Sequence, residues 1–371
     1  MKKTFLILCV ALSLLACTQN AYKISGEVTD NSLDSTYVYL SERVNREWIK
    51  LDSTLIVNGK FVLNGKVDSV KVAYLKLQPK RNKDNSESYP FILEPGDIAA
   101  HVDSAGTIVI TGTAQNDVLN KYTIEINALR TKADELYNRI NGDGNTPLST
   151  AQKDTLDAGL KVFENETKKI EKEYALQNVN KMVGTHIFMT SFYDYTVEEK
   201  EALFARMNTK TKAIPRIAEL IAATEVEKKT SKGQPYIDFS MTAPDGGTVK
   251  LSDYVGKTDY LLVDFWASWC PDCVASFPGL TAFYTRNKGT KFDIVGVSLD
   301  DDKDRWIRGI AKHKLTWHHL SDLQKWSSEG AKLYAVNAIP ATVLIDKNGK
   351  IAGRNLELKE IQELLNQIVT K

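Results

Sequence analysis

The stretch FWASWCPDC, Phe265 to Cys273, decides how the last third of this 371-residue chain is read. It follows the apolar run YLLVDFWA and opens a segment of helical spacing, so the two cysteines fall where a buried strand gives way to a helix. At such a junction the unsatisfied N–H groups and the helix dipole favour an anion, which lowers a thiol pKa below the free value of about 8.5. A spacing of three residues sets Cys270 and Cys273 on one face of the first turn, within bonding reach. Cys270, the first and more exposed thiol, is the expected nucleophile toward a substrate disulfide. Cys273 is the expected resolving thiol.

Other uses of the pair lose on inventory. Tetrahedral zinc needs further Cys or His at ligand spacing. There is no second CxxC, and the histidines are His101, His186, His313, His318 and His319. Adjacent His318 and His319 point in opposite directions if they lie in a strand. No metal or other cofactor is expected beyond the redox-active disulfide Cys270–Cys273. An inert staple across so short a loop would stabilise little. Trp269, beside Cys270, is expected to cover the disulfide and, with Pro271, to contact substrate, whereas Trp266 reads as core. Asp272 adds negative charge beside the first turn. It opposes the thiolate and so makes the pair a weaker oxidant. Helix-end charges are worth about 0.3–1 kcal/mol, so this is a lean toward reductant and no more.

Around the motif the pattern is α/β. A short hairpin, MTAPDGGTVKLSDYVGK, precedes it. After it come a strand FDIVGVSLD, a helix DDKDRWIRGIAKHK, a second helical stretch SDLQKWSSEGAKLYAV, a hairpin ATVLIDKNGKIAGR and a final helix ELKEIQELLNQIV. Strand–helix alternation closed by a hairpin and helix predicts a mixed central sheet covered by helices. Asp300, Asp301 and Asp302 read as a cap and loop, not a metal site.

With VDFWASWCPDC, the hairpin PDGGTVKLSDYVGK, and Ala338-Ile339-Pro340-Ala341-Thr342 ahead of LIDKNGKI, residues 234–371 resemble the thioredoxin superfamily and, within it, the membrane-anchored periplasmic TlpA/ResA-like branch. The resemblance implies dithiol–disulfide exchange and a cis peptide before Pro340, facing the cysteines. Pro340 lacks an N–H, which exposes the flanking backbone, Ile339 above all, for strand-like pairing with substrate. Two departures matter. TlpA-like proteins often place a Glu three residues after the second cysteine, where this chain has Ser276. Thioredoxins place a buried Asp six residues before the first cysteine, and Asp264 stands there. Asp264 is therefore the expected proton acceptor for Cys273, its pKa raised by an apolar strand. The lysine that thioredoxins set on the neighbouring strand aligns with Gly296, so Asp264 lacks that cation. A peroxiredoxin would need Thr or Ser at position 267, which is Ala.

The N-terminus, MKKTFLILCVALSLLACTQN, has two lysines and then an apolar run, Phe5 to Ala16, too short for a permanent span. Leu14-Leu15-Ala16-Cys17 resembles a bacterial lipobox; the alternative is a plain secretory signal cleaved nearby. Both predict export to the periplasm, and lipid at Cys17 would anchor the chain to a membrane without spanning it. Thr18, in place of Asp, points to the outer membrane. The signal region spans residues 1–17; cleavage before Cys17 removes Cys9, lipid takes the Cys17 thiol, and Cys270 and Cys273 are left as the sole thiols. In an oxidising compartment that pair needs an upstream thiol donor.

Residues 18–113 read as an all-β, sandwich-like module of antiparallel strands (TYVYL, KFVLNGKV, VAYLKLQP, FILEPGDIAAHV, TIVITG), with turns at Asn58-Gly59, Asn64-Gly65 and Pro95-Gly96 and a hairpin tip at Lys80–Ser88. They resemble a poorly characterised module found ahead of such domains in bacterial lipoproteins. Residues 114–232 read as helices with solvated Glu/Lys faces, Ser149 capping the second; shorter ones are expected over Glu198–Asn208 and Pro215–Lys229. A net charge of +1 leaves no basic excess for nucleic acid. The expectation is an α/β thioredoxin-like domain, residues 233–371, behind the all-β and helical regions, acting on protein disulfides. The rival is a binding or scaffold lipoprotein with a vestigial redox domain.

Overall fold

The computed structural model describes residues 20–44, 47–77, 87–104, 107–141 and 148–368. The leader-like segment with Cys17, and the expected hairpin tip up to residue 86, lie outside the described residues. The chain divides into two compact units, Met1–Ile217 and Ala218–Lys371.

In the first unit, β1 (Ala21–Val28), β4 (Lys60–Lys66), β7 (Gly96–Val102) and β8 (Ile108–Thr111) form one sheet in the order β4-β1-β7-β8. The second sheet is β3-β2-β5-β6, from β2 (Tyr37–Val44), β3 (Glu47–Leu55), β5 (Lys71–Leu77) and β6 (Glu87–Leu93). Period-two alternation builds both: β1 buries every second residue, and Ile24, Leu40, Leu75 and Ile98 meet in a core shared by the two sheets. Two expectations are corrected here. The module is not wholly antiparallel, because β1 and β7 pair in parallel; a strand that re-enters a sheet from the opposite layer is free of hairpin geometry. Asn64-Gly65 is no turn but lies inside β4, opposite Lys23 and Tyr22. Gly is needed there because a Cβ would overlap the Tyr22 hydroxyl. Asn58-Gly59 does turn, with φ of 52° and 68°.

Helices α1 (Ala114–Asn141) and α2 (Thr150–Gln177) follow, α2 opened by a capping box of Ser149 with Gln152. Shorter helices are α3 (Met182–Thr190), α4 (Val197–Arg206), α5 (Thr209–Lys212) and α6 (Pro215–Lys229).

The second unit carries a seven-stranded sheet in the order β10-β9-β13-β12-β11-β14-β15. Its strands are β9 (Ser240–Thr242), β10 (Thr248–Lys250), β11 (Tyr260–Trp266), β12 (Phe292–Ser298), β13 (His318–Ser321), β14 (Ala341–Asp346) and β15 (Ile351–Arg354). β11, β12 and β13 run parallel, and β14 is antiparallel to β11. β11 and β12 are buried on both faces, as near-continuous apolar runs require. The helices are α7 (Pro271–Asn287), α8 (Lys303–His313), α9 (Glu329–Leu333) and α10 (Leu358–Ile368). This is the expected mixed sheet with helical cover. One segment departs: SDLQKWSSEGAKLYAV is not a helix throughout. Ser321 ends β13, Leu323 and Lys325 take left-handed φ of 57° and 50°, and only Glu329–Leu333 is α-helical. Asp322 accepts from the Gln324 and Glu329 N–H groups, competing locally with a helix.

Candidate active site

Cys270 is the N-cap of α7, and Pro271 occupies the first turn, where its missing N–H costs nothing. Cys270 and Cys273 are joined as a disulfide with Cα atoms 5.3 Å apart, and the Cys273 N–H donates to Cys270 Sγ at 3.2 Å. That donor and the helix dipole are the features that stabilise a thiolate at Cys270 once the bond is reduced. Both sulfurs are nearly out of solvent. Cys270 is 5% exposed and Cys273 1%, a smaller contrast than expected.

The Ile339–Pro340 peptide is cis, and the Ile339 carbonyl oxygen lies 3.7 Å from Cys270 Sγ. Trp269 is 39% exposed beside the pair, Pro271 and Pro340 are exposed, and Trp266 is fully buried against Phe277.

Asp264 sits mid-strand in β11, buried, and its Oδ2 has no hydrogen-bond partner among the described residues. Burial pushes its carboxyl up to about 7. It pairs in register with Gly296 of β12, which in turn faces His319 of β13. Burial likewise pushes His319 down to about 4, so this neighbour is neutral. A pocket of about 280 Å³ opens on Asp264, lined also by Ser276, Leu280, Pro340, Thr342 and Ile361. The Ser276 hydroxyl donates to the Cys273 carbonyl at 2.8 Å, so the residue in the glutamate's place joins the pair's helix to this pocket. Cys270, Cys273, Ile339, Pro340 and Trp269 thus gather at one end of the sheet, and Asp264 shares a pocket with Pro340 and with Ser276 of the cysteines' helix. Cys17 lies outside the described residues.

Two residues here escaped the sequence reading. Asp300, taken as cap or loop, is 1% exposed and accepts from the Ser268 N–H at 3.1 Å, the Ser268 hydroxyl at 2.6 Å and the Ser298 hydroxyl at 2.7 Å. It fixes the turn leading to Cys270, while Asp302 is the α8 cap as expected. The available signal was position: a carboxylate just past a buried parallel strand stands where sites of α/β sheets gather. Trp326, hidden in an apparent helix, is the second.

Known proteins match in two places. Residues 22–119 match a domain of unknown function, DUF4369, and residues 232–354 match the AhpC/TSA family. The thiol-disulfide oxidoreductase ResA of Bacillus thuringiensis is 26% identical over 145 residues, covering 39% of this chain and 80% of that protein. A thiol:disulfide interchange protein DsbE homolog of Paracoccus denitrificans is 32% identical over 120 residues, covering 30% of this chain and 63% of its own length. Among solved structures, the C-terminal domain of a putative thiol-disulfide oxidoreductase from Bacteroides thetaiotaomicron is 32% identical, with 38% of this chain and 98% of that one covered at a TM-score of 0.36. The C-terminal domain of this chain is thus thioredoxin-like and similar to thiol–disulfide oxidoreductases of the ResA and DsbE type.

Proposed function

We propose that the chain is exported, lipid-anchored at Cys17 in the periplasm, on the outer membrane, and reduces disulfides of substrate proteins there. The observation that carries the chemical part is Asp264: a buried carboxyl held near 7 in the domain that bears the cysteine pair. The Cys270 thiolate attacks one sulfur of a substrate disulfide; that S–S bond breaks, and the departing substrate thiolate takes a proton from water. Cys273 then passes its thiol proton to the Asp264 carboxylate and attacks Cys270 Sγ. The second substrate thiolate leaves, and the Cys270–Cys273 bond closes. Two electrons reach the substrate, and an upstream thiol donor returns two to the pair. Ile339 and Pro340 offer the backbone edge for the substrate chain, with Trp269 and Pro271 beside it. Asp272, exposed in the first turn of α7, supports the reducing direction by opposing the thiolate. The lipobox-like sequence supports the anchor. Among the described residues no helix is long and apolar enough to cross a membrane.

Insulin reduction with a dithiol donor tests this reading. The wild type accelerates it, Cys270→Ser abolishes the effect, and Cys273→Ala accumulates mixed disulfides with its partners on Cys270. Equal activity in Cys270→Ser sinks the mechanism. A redox titration followed by Trp fluorescence settles the direction: a potential near that of thioredoxin, about −270 mV, is expected, and one near about −120 mV makes the chain an oxidant.

A further inference from the structure

The loop between β13 and α9 is fastened along its length. The Ser321 hydroxyl donates to the Ser298 carbonyl at 2.9 Å and accepts from the Leu323 N–H at 3.1 Å. Asp322 accepts from the Gln324 N–H at 3.1 Å and the Glu329 N–H at 2.8 Å. Lys325 Nζ pairs with Asp301, in the turn after β12, at 2.6 Å. What this frame presents is Trp326, 46% exposed, its ring centroid 6.1 Å from that of Trp269 at an interplanar angle of 62°. An indole set in water on a fixed loop adds little to the core, whereas a rigid aromatic brings a partner large contact area at small entropic cost.

We propose that Trp269 and Trp326 together dock an apolar side chain, preferably aromatic, lying two positions from the target cysteine of an extended substrate polypeptide. This rests on the thiol-exchange reading above and names the substrate class that the site prefers. Continuity with the sulfur fixes the occupant. The Ile339 carbonyl beside Cys270 Sγ is the edge on which an extended chain pairs, and Trp269 adjoins Cys270 directly. In an extended chain, side chains two residues apart share a face and lie about 7 Å from one another. A substrate cysteine facing Cys270 therefore turns its second neighbour toward the two indoles.

The test uses the full chain carrying Cys273→Ala, reduced, and two disulfide-linked peptide dimers. The peptides are identical except for Phe or Ser at both positions two residues from their cysteine. Mixed-disulfide formation on Cys270 is followed by mass, which reads docking without requiring either direction of turnover. The Phe peptide is expected to react about tenfold faster, a difference of about 1.4 kcal/mol in the barrier. Adding Trp326→Ala brings the Phe/Ser ratio close to one, and Trp326→Phe keeps most of it. Trp48→Ala, which removes an exposed tryptophan in the other unit, leaves the ratio as it was. Taking the ratio within each variant cancels any change in thiol reactivity. A wild-type ratio near one, a ratio unmoved by Trp326→Ala, or an equal rise of both rates in Trp326→Ala overturns the proposal; the last would make Trp326 a shield. Hydroxyethyl disulfide, which has no side chain to dock, separates the two claims. Failure to react with it removes the exchange activity itself, while reaction without a Phe preference removes the docking surface alone.

Discussion

Asp264 has been taken out of water and, among the described residues, given no cation in exchange. Its folded value of about 7 lies above the ordinary 3.8, so between these values the folded chain binds a proton that the unfolded chain releases. Stability from this group is full below about pH 4, falls as pH rises through about 7, and is level above that. The gap corresponds to on the order of 4 kcal/mol. Asp264→Asn should therefore raise the unfolding midpoint at pH 8 and lose that advantage by pH 4, while slowing closure of the Cys270–Cys273 bond. Midpoints measured across that range check it; an advantage independent of pH would remove the buried ionisable carboxyl from the account. At this scale the cysteines, Asp264 and Pro340 were legible because each belongs to a short motif in sequence. Asp300 and Trp326 were not, since what they hold or touch, Ser268 and Trp269, is distant in sequence and is reached only through the sheet and the loop after β13.

Elements were legible where one face of them meets solvent. α2 declared itself through Ser149 and a charged outer face, and β4 through alternation. α3 did not, because it is apolar on nearly every side: Val183, Ile187 and Phe188 are all fully buried, and without a polar face there is no period to read. β3 failed for the opposite reason, being an edge strand with no buried residue to mark its alternation. The other edge of that sheet shows how such a border is finished. β6 has one neighbour, β5, and the Asn116 side chain of α1 accepts from the Ile92 N–H and donates to the Ile92 carbonyl, both at 2.8 Å. Asn116 is fully buried, so Asn116→Ala leaves two backbone groups of Ile92 without partners. A loss of about 2–4 kcal/mol is expected in denaturant unfolding, with faster amide exchange at Ile92. Unchanged exchange there would show that the amide does not close this edge.

For the whole molecule, an α/β domain behind β and helical regions was legible from texture alone, because alternation, helical spacing and strand–helix succession each occupy their own stretch. Where the redox domain begins is a subtler matter. Arg354 of β15 donates through Nη2 to the Tyr334 carbonyl at 2.6 Å and through Nη1 to the Thr230 carbonyl at 3.3 Å and hydroxyl at 2.5 Å. Thr230 is fully buried and precedes the boundary that composition suggests, residue 233. A fragment starting at 233 strands half of this guanidinium, and it should be less stable than one starting at 218 by about 1–3 kcal/mol, several degrees in Tm. Equal melting of the two would sink the argument. The row Asp264–Gly296–His319 across three strands constrains substitution. A Cβ on Gly296 would come within 2.7 Å of His319 Nδ1 and 3.0 Å of Trp266 Nε1. A side chain at 296, a lysine beside the carboxyl included, therefore requires His319 or Trp266 to move, so the substitution that would give Asp264 a cation is coupled to the residue at position 319.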